Sequence, residues 1–503
     1  MGTSMQTTLI RGARALLGND QAASEHPVDI LVRGARIAAI EPAGSIAAAD
    51  RIFDLPSHLV SPGLINGHLH SHEHFQRGRT ENLPLELWQQ FVRTPIPIPF
   101  TPRQVYLRTL IGAIECLRTG ATCVVDDLRV RDAKSEDHIA AVFQAYEDIG
   151  IRAMVGFAMM DRSIIDSYPA IDRLPPELVK RIRAVPQPDA REYLDLVRRL
   201  APARHPQASR VGVLVSASAP QRCTEAFLGE CRRLADDLVL PVITHVHETR
   251  LQVVTGLEFY GVPMVEYLDR IGFLKPMTSL IHAVWLNPRE IEALARTGAT
   301  AQHNPWSNLM LGSGVQPMRE LLKAGANVSM GSDGSCSNMT VNMLNVVGTA
   351  AALSKVRSPD HAEWVTAAEA LRAATIGGAK ALGFEGSLGV LQVGAIADLA
   401  AYRTDTVTFT PLHHPVRQLV YAERGAGLDF MMVDGEVVMR DGAISGIDER
   451  AILAEVAHEM EALSPMISAG EASGNELLRA MEAVCTHCAS VPLPKDTHPA
   501  RIG

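Results

Sequence analysis

Four histidines lie within seven residues of the segment "GHLHSHEH", residues 67–74. Four more histidines, a glutamate and an aspartate follow apolar runs farther along, in "VITHVHE" (242–248), "LIHAVW" (280–285), "AQHN" (301–304) and "GSDG" (331–334). Imidazole nitrogens with one carboxylate oxygen are a common ligand set for Zn²⁺ that leaves a position open for water. Because a strand has a period of two, His68 and His70 should face the same way, and so should His245 and His247. The pattern favours a metal site over a polar surface loop.

The elements that must position these side chains alternate between helix and strand. Amphipathic stretches end at Gly120, Gly150, Gly298 and Gly325, and a short apolar run follows each of them at once. Glycine supplies a left-handed helix cap, and such an apolar run is typical of a buried parallel strand. Counting eight strands predicts an α/β fold with a (β/α)8 TIM-like barrel. The site would then lie where the strands end.

The flanks of this repeating unit have a different pattern. Both "VDILVRGARIAAIEP" (28–42) and "LDFMMVDGEVVMRDGAI" (428–444) are short strand-like runs punctuated by glycine, which indicates hairpins. The sequence predicts a small β-sandwich domain built from both termini, residues 6–60 and 393–446, around a catalytic barrel of residues 61–392. Residues 447–503 are predicted to form a helical C-terminal extension and tail.

Composition places the chain among ordinary globular proteins. Of its 503 residues, 47% are hydrophobic and 20% charged, and the formal net charge is −9. This acidic balance argues against a nucleic-acid polymer as partner, and no apolar run approaches the roughly 20 residues that cross a bilayer. Seven scattered cysteines are typical of reduced thiols. We expect a cytoplasmic protein without a secretion signal or membrane partner, acting on a small molecule.

The "CTHC" at residues 485–488 has metal-site spacing. No second pair of ligands lies nearby in the sequence, and short motifs of this kind often occur without a metal. A structural zinc at Cys485 and Cys488 is therefore the minor alternative.

The motifs "PGLINGHLH", "THVHE", "LIHAVWL", "HNPWSNLMLGSG" and "GSDG" resemble the amidohydrolase superfamily. More narrowly, they are similar to its branch of cytosine, guanine and S-adenosylhomocysteine deaminases and triazine hydrolases, from about residue 8 to 450. The resemblance implies one divalent metal ion, zinc or alternatively iron, held by His68, His70, His245 and Asp333. It also implies Glu248 as a proton shuttle and His282 as a residue that positions water or substrate. The fourth predicted strand, "RVGVLVSAS", lacks the lysine that bridges two metals in other members, which favours a single metal ion. A homodimer or homotetramer is expected.

Five further residues are candidates for substrate binding, each with a structural alternative. Arg77 could bind an acidic or carbonyl group or pin its own loop, and Trp88 could cover the substrate or simply pack. His303 could contact substrate or hold a loop, and His247 could contact substrate or support the ligands. Ser218 lies where adenosine-type deaminases usually have a histidine, which puts a nucleoside substrate in doubt. The proline-rich segment 161–190 is expected to form a lid or a pocket wall.

These residues predict an aminohydrolase that replaces an exocyclic amino group of a purine, pyrimidine or triazine-type ring. A metal can make water nucleophilic at neutral pH, Glu248 can protonate the ring nitrogen, and Asp333 can take the water proton. Three alternatives remain. They are dechlorination or N-dealkylation of a triazine-like ring, hydrolysis of an acyclic amide-like C–N bond, and a non-catalytic scaffold.

Overall fold

The computed structural model describes residues 6–92, 98–129 and 135–498. The N-terminal strands are β1 (Thr7–Leu17), β2 (Ala22–Ala23), β3 (Val28–Arg33), β4 (Arg36–Pro42), β5 (Arg51–Asp54) and β6 (His58–Pro62). The central strands are β7 (Leu64–Leu69), β8 (Ala121–Arg129), β9 (Arg152–Ala158), β10 (Val211–Val213), β11 (Val215–Ser216), β12 (Val242–Val246), β13 (Thr278–His282), β14 (Thr300–His303) and β15 (Asn327–Met330). The C-terminal strands are β16 (Leu399–Arg403), β17 (Leu428–Val433), β18 (Glu436–Arg440) and β19 (Ala443–Ile444).

The central strands form two parallel sheets, in the orders β10-β9-β8-β7 and β11-β12-β13-β14-β15. Leu214 alone separates β10 from β11. At the other edge, the N–H of Asp333 after β15 donates to the carbonyl of His68 in β7 at 2.9 Å. Nearly every residue of these strands is buried, because helices cover the sheets. The predicted α/β class with parallel strands is confirmed.

Eighteen α-helices connect or flank the strands in the described part of the chain. The first nine are α1 (Leu85–Val92), α2 (Pro102–Arg118), α3 (Glu136–Ile149), α4 (Pro176–Arg183), α5 (Ala190–Arg204), α6 (Glu225–Leu238), α7 (Arg250–Tyr260), α8 (Met264–Arg270) and α9 (Pro288–Thr297). The others are α10 (Pro305–Met310), α11 (Met318–Lys323), α12 (Ser335–Asn338), α13 (Met343–Arg357), α14 (Ala367–Arg372), α15 (Gly378–Ala381), α16 (Pro415–Tyr421), α17 (Glu449–Ser473) and α18 (Asn475–Ser490). Gly150 and Gly298 end α3 and α9 with φ of 78° and 73°, so they are the left-handed caps that the sequence indicated.

The flanking strands from both termini join one ten-stranded sheet of order β19-β18-β17-β16-β6-β1-β3-β4, with β2 and β5 paired to β1. Strand β6 pairs antiparallel with β16, so the N-terminal and C-terminal parts share hydrogen bonds. Apolar side chains from both parts, among them Ile10, Val60, Leu399 and Phe430, form one buried cluster. This sheet is tied to the central strands by Arg152 at the start of β9, which donates to Asp398 at 3.0 and 3.2 Å.

The C-terminal helices α17 and α18 pack on the helices beside the parallel sheets. Leu463 and Ile467 of α17 contact the cluster around Phe75 and Leu107. Met481, Val484 and Cys488 of α18 are buried with apolar residues of α7 and of the segment 161–190, including Ile165, Tyr168, Leu251 and Val254. Among the described helices, none is both long and apolar enough to cross a membrane.

Candidate metal and substrate site

The residues predicted to hold a metal converge from separate strands. His68 and His70 lie at the end of β7, His245 lies on β12, and Asp333 follows β15. Asp333 Oδ1 is 3.4 Å from Nε2 of both His68 and His70. One ring nitrogen each of His68, His70 and His245 lies within 4.8 Å of the others. All four residues are buried.

Backbone carbonyls orient two of these imidazoles. Nδ1 of His70 lies 2.8 Å from the carbonyl of Asp127, and Nδ1 of His245 lies 2.9 Å from that of Ser218. A carbonyl only accepts, so the proton of each ring stays on Nδ1 and the lone pair on Nε2 remains available. Neither ring nitrogen of buried His68 has a hydrogen-bond partner, and its Nε2 is the nitrogen that faces Asp333. Buried polar atoms are rarely left without a partner, so this donor set fits a divalent cation.

The ionisation of His245 and Asp333 also suits a cation, whereas burial lowers the pKa of His70 but the charges of Glu73, Asp333 and Asp127 outweigh it and raise that pKa. Burial and the neighbouring His68 hold the pKa of His245 well below its usual range, which favours the neutral imidazole. Burial opposes ionisation of Asp333, but the contact with His68 and the charges of neighbouring histidines outweigh it and leave its pKa well below normal. The left-handed φ of 65° at Asp333 turns the chain sharply where the strand has ended. Ser307 Oγ donates to the second carboxylate oxygen of Asp333 at 2.6 Å.

A second group of side chains adjoins the first. Glu248 follows β12, His282 ends β13, and one atom from each lies within 4.8 Å of an oxygen of Asp333. His282 Nε2 is 3.5 Å from Glu248 Oε2, and its Nδ1 is 2.9 Å from Asn308 Oδ1. Burial lowers the pKa of His282 to about 4, so the ring is neutral near pH 7. The arrangement places a buried carboxyl group and a neutral imidazole beside the cluster of predicted ligands.

We call the cavity between these groups the inner chamber. Six of the residues singled out in the sequence line it, namely His70, Trp88, His245, Glu248, His282 and Asp333. Of the six other lining residues, Leu85 and Leu311 are apolar, and four are polar residues that were not predicted, namely Glu73, Gln89, Arg222 and Gln252. Position relative to a strand end could have indicated two of them, because Glu73 lies within the first histidine cluster and Arg222 lies four residues after Ser218. Glu73 Oε2 would be only 1.7 Å from a Cβ at position 334, so the glycine of "GSDG" makes room for this carboxylate.

Three predicted substrate-binding residues lie elsewhere. Arg77 forms an ion pair with Glu115 at a largely open surface. His247 is fully buried, and its ring nitrogens lie 2.7 Å from the carbonyl of Trp285 and 3.0 Å from the N–H of Met264. His303 lines a separate cavity of about 230 Å³, together with Gln316, Arg319 and Arg357. The structure does not bring these three residues to the inner chamber.

A second cavity, which we call the apolar arm, opens from His70 and His245 and has a volume of about 160 Å³. Its apolar lining consists mainly of Met159, Met160, Ile164, Ile165, Tyr168 and Leu477. Ser218 lies on its wall, as expected of a residue that follows a strand of the parallel sheets, here β11. The segment 161–190 therefore forms a pocket wall, and α18 contributes Leu477 to it.

A comparison with protein families decides the classification. Residues 59–438 match the model of the amidohydrolase family. The chain belongs to the amidohydrolase family. It is 33% identical over 407 residues to a 5-methylthioadenosine/S-adenosylhomocysteine deaminase of Pyrococcus furiosus, covering 81% of this chain and 90% of that protein. It is 32% identical over 424 residues to a 5'-deoxyadenosine deaminase of Methanothermobacter thermautotrophicus, covering 84% and 92%.

Solved structures of other amidohydrolases are similar over nearly their full length. An adenosine deaminase of Xanthomonas campestris with bound zinc has a TM-score of 0.79 and 28% identity, covering 91% of this chain and 98% of that one. An atrazine chlorohydrolase of Arthrobacter aurescens with zinc has a TM-score of 0.79 and 25% identity, covering 90% and 99%. The predicted family is confirmed, and so is the predicted class of enzyme, a hydrolase acting on carbon–nitrogen bonds other than peptide bonds. Amidohydrolases are metal-dependent, which agrees with the donor set found here.

Proposed function

We propose that this amidohydrolase is a deaminase that replaces an exocyclic amino group on a nitrogen heterocycle with oxygen from water. One observation carries the proposal: the buried carboxyl group of Glu248 shares the inner chamber with the predicted ligands His70, His245 and Asp333. Loss of ammonia from an electron-poor ring requires a proton on the ring nitrogen, and a carboxyl group placed beside the ring can supply it. The names of the similar deaminases support the same reaction.

A single divalent ion, zinc by analogy with the similar structures, would be held by His68, His70, His245 and Asp333. When bound there, it would lower the pKa of water from 15.7 to about 7 and make hydroxide available at neutral pH. Iron remains the alternative, because imidazole and carboxylate suit both metals. The structural support for a resident cation is the buried Nε2 of His68, which lies 3.4 Å from Asp333 Oδ1 and has no hydrogen-bond partner.

The protein's own side chains would divide the remaining work. Glu248 would give its proton to the ring nitrogen as the ring carbon is attacked. Asp333 would take the proton from water and deliver it to the leaving amine, while the hydroxyl of Ser307 holds the carboxylate through its other oxygen. His282, neutral and fixed by Asn308, would position water or substrate with Nε2. Trp88 on α1 would cover the ring, and the apolar arm would take a substituent.

We further propose the architecture around this site. The two parallel sheets would be parts of one (β/α)8 barrel, supported by the contact between Asp333 and His68 that joins the outer edges. The ten-stranded sheet would fold into a β-sandwich domain of residues 6–60 and 393–446, with the barrel at 61–392 and the extension at 447–503. A homodimer or homotetramer in the cytoplasm remains our expectation, and the free state of all seven cysteines agrees with a reducing compartment. Sedimentation equilibrium would measure the oligomeric state.

The test is ammonia release by zinc-loaded protein from a panel of aminated purines, pyrimidines, triazines and 5'-substituted adenosines. We expect at least one ring to be deaminated. Replacing Glu248 with Gln should lower kcat by about 10²- to 10⁴-fold, the usual worth of a general acid, while the exposed Glu292→Gln leaves it unchanged. A silent panel with stoichiometric zinc would refute the deaminase.

A second candidate keeps the site and changes the leaving group to chloride on a triazine. The similarity to a chlorohydrolase at a TM-score of 0.79 and the apolar arm favour it. Chloride leaves without a proton, so Glu248→Gln should slow an amino-triazine far more than the matching chloro-triazine. Equal losses on both substrates would remove the distinction between the two candidates.

A further inference from the structure

Arg222 is a buried cation of the inner chamber that the chemistry above does not use. It ends a short helical turn, Pro220–Arg222, that follows β11. Its relative exposure is 5%, and it lines the inner chamber together with His70, His245 and Glu248. Arg222 therefore faces the same space as the predicted ligands His70 and His245.

The surroundings of Arg222 leave its guanidinium mostly without acceptors. Nη1 donates to Ser218 Oγ at 3.1 Å, and the buried Nε has no hydrogen-bond partner. Among the residues that the structure describes, no aspartate or glutamate forms an ion pair with it. Buried Arg152 differs, since Asp398 and Asp434 both accept from its guanidinium.

A guanidinium keeps its charge at every physiological pH and presents five N–H donors in one plane. Removing such a group from water is unfavourable unless acceptors replace the water, and an anionic oxygen is the strongest acceptor. One neutral hydroxyl satisfies one of the five donors. The remaining N–H donors would be satisfied by an acceptor that arrives with the substrate.

We propose that Arg222, positioned by Ser218, binds a negatively polarised oxygen of the substrate, either a ring oxo group or a carboxylate on a substituent. The inference rests on the proposed function, because it assumes that an aminated ring occupies the inner chamber. It also assigns a role to Ser218, which lies where adenosine-type deaminases usually have a histidine. Ser218 positions Arg222 through a hydrogen bond, and Arg222 binds the oxygen of the substrate. Arg222 thereby selects among aminated rings by the oxygen they carry.

Two substrate pairs separate the sources of the oxygen. Guanine and 2-aminopurine differ by a ring oxo group, and S-adenosylhomocysteine and 5'-methylthioadenosine differ by a tail that carries a carboxylate. Arg222→Gln should lower kcat/KM about 10- to 100-fold on the oxygen-bearing member of one pair, the usual worth of a charged hydrogen bond, and by less than about threefold on its partner. The pair that shows the difference identifies the oxygen. Equal losses within both pairs would overturn the proposal.

Binding without turnover separates this proposal from the deaminase. Calorimetric titration of the zinc-loaded protein would use cyanurate, a ring with oxygen substituents only, and benzoate, a ring with a carboxylate only. At least one should bind, and Arg222→Gln should weaken it at least tenfold, whereas Arg233→Gln on the exposed face of α6 should not. That result in a protein that deaminates nothing would refute the deaminase and keep the assignment of Arg222.

Two binding results would overturn the assignment even in an active deaminase: neither probe binds the wild type, or the affinity survives in Arg222→Gln. Arg222→Lys covers the case in which Arg222→Gln fails to fold. Lysine keeps the charge but loses the planar fork, so we expect affinity to fall about tenfold, and an unchanged affinity would count against the proposal.

Discussion

The two ends of the same parallel strands carry buried charged residues in contrasting arrangements. At the carboxyl ends, both ring nitrogens of His68 and Nε of Arg222 are buried without hydrogen-bond partners, and Arg222 lines the inner chamber. At the amino ends, Arg152 donates to Asp398 and Asp434, and the N–H of Asp434 donates to Asp398 at 2.7 Å. The buried nitrogens at the carboxyl ends need a ligand as their partner. The buried charges at the amino ends are already paired with one another. This difference separates residues kept for binding from residues kept for folding, as is usual in parallel α/β enzymes.

Among the substitutions that test this difference, replacing a predicted metal ligand should have the largest effect on metal content and activity. His70→Ala should weaken metal affinity by at least about 100-fold, more than the loss of an outer partner costs, and kcat should fall with it. His74→Ala is the matched control, because Nδ1 of His74 lies against the carbonyl of Arg108 instead of the cluster. Plasma mass spectrometry would measure the metal per chain. Stoichiometric metal in His70→Ala, or its loss in His74→Ala, would contradict the assignment.

Breaking the amino-end ion pair should affect stability and leave catalysis intact. Arg152→Ala leaves Asp398 buried without its cation, which typically costs about 3–5 kcal/mol of unfolding free energy. Asp434→Asn is the control: its side chain is 39% exposed, so the loss should be below about 1 kcal/mol. Urea denaturation would give both values, and kcat of the folded, metal-loaded variants should stay within about twofold. A loss of kcat in Arg152→Ala without a loss of stability would contradict the claim that the amino ends serve folding and the carboxyl ends serve binding.

Stability should also depend on pH through Glu290, a buried carboxyl group away from the ligands. Burial raises its pKa to about 8, although the N–H groups of Asn287 and Val265 donate to it. Folding therefore takes up a proton between the ordinary pKa of 4.5 and about 8, and the unfolding free energy falls as pH rises through this window. Glu290→Gln should flatten that decline, so the cost of the substitution is smaller at pH 8 than at pH 5. Parallel stability curves for wild type and variant would contradict this.

Substitutions in the "CTHC" segment should have the smallest effect on metal content and stability. Cys485 and Cys488 lie on α18, and among the described residues the candidate metal groups are those at the strand ends, not these cysteines. Replacing both with serine should leave the metal content unchanged and cost about 1–2 kcal/mol of stability, because Cys488 is buried among apolar side chains. Loss of a metal equivalent in the double variant would revive a zinc site on α18.

Several parts of the fold and site could be predicted because they depend on local patterns. The helix caps at Gly150 and Gly298 lie where the sequence placed them. His247 shows where local reasoning fails: strand β12 ends at Val246, and a φ of 52° turns the next residue away from the face that alternation assigns to it. The period of two holds only while the backbone stays extended. His303 likewise faces another cavity.

The amino-acid sequence by itself determined the order of helices and strands and the residue types at the strand ends, because periodicity, glycine caps and motif spacing act within a few residues. Only the tertiary structure decided which of those residues share a chamber. It brought Gln89 and Gln252 beside the predicted ligands and set Leu477, more than 200 residues from His245, on the wall of the apolar arm. Contacts between distant segments depend on how whole elements pack, and no local pattern records that packing.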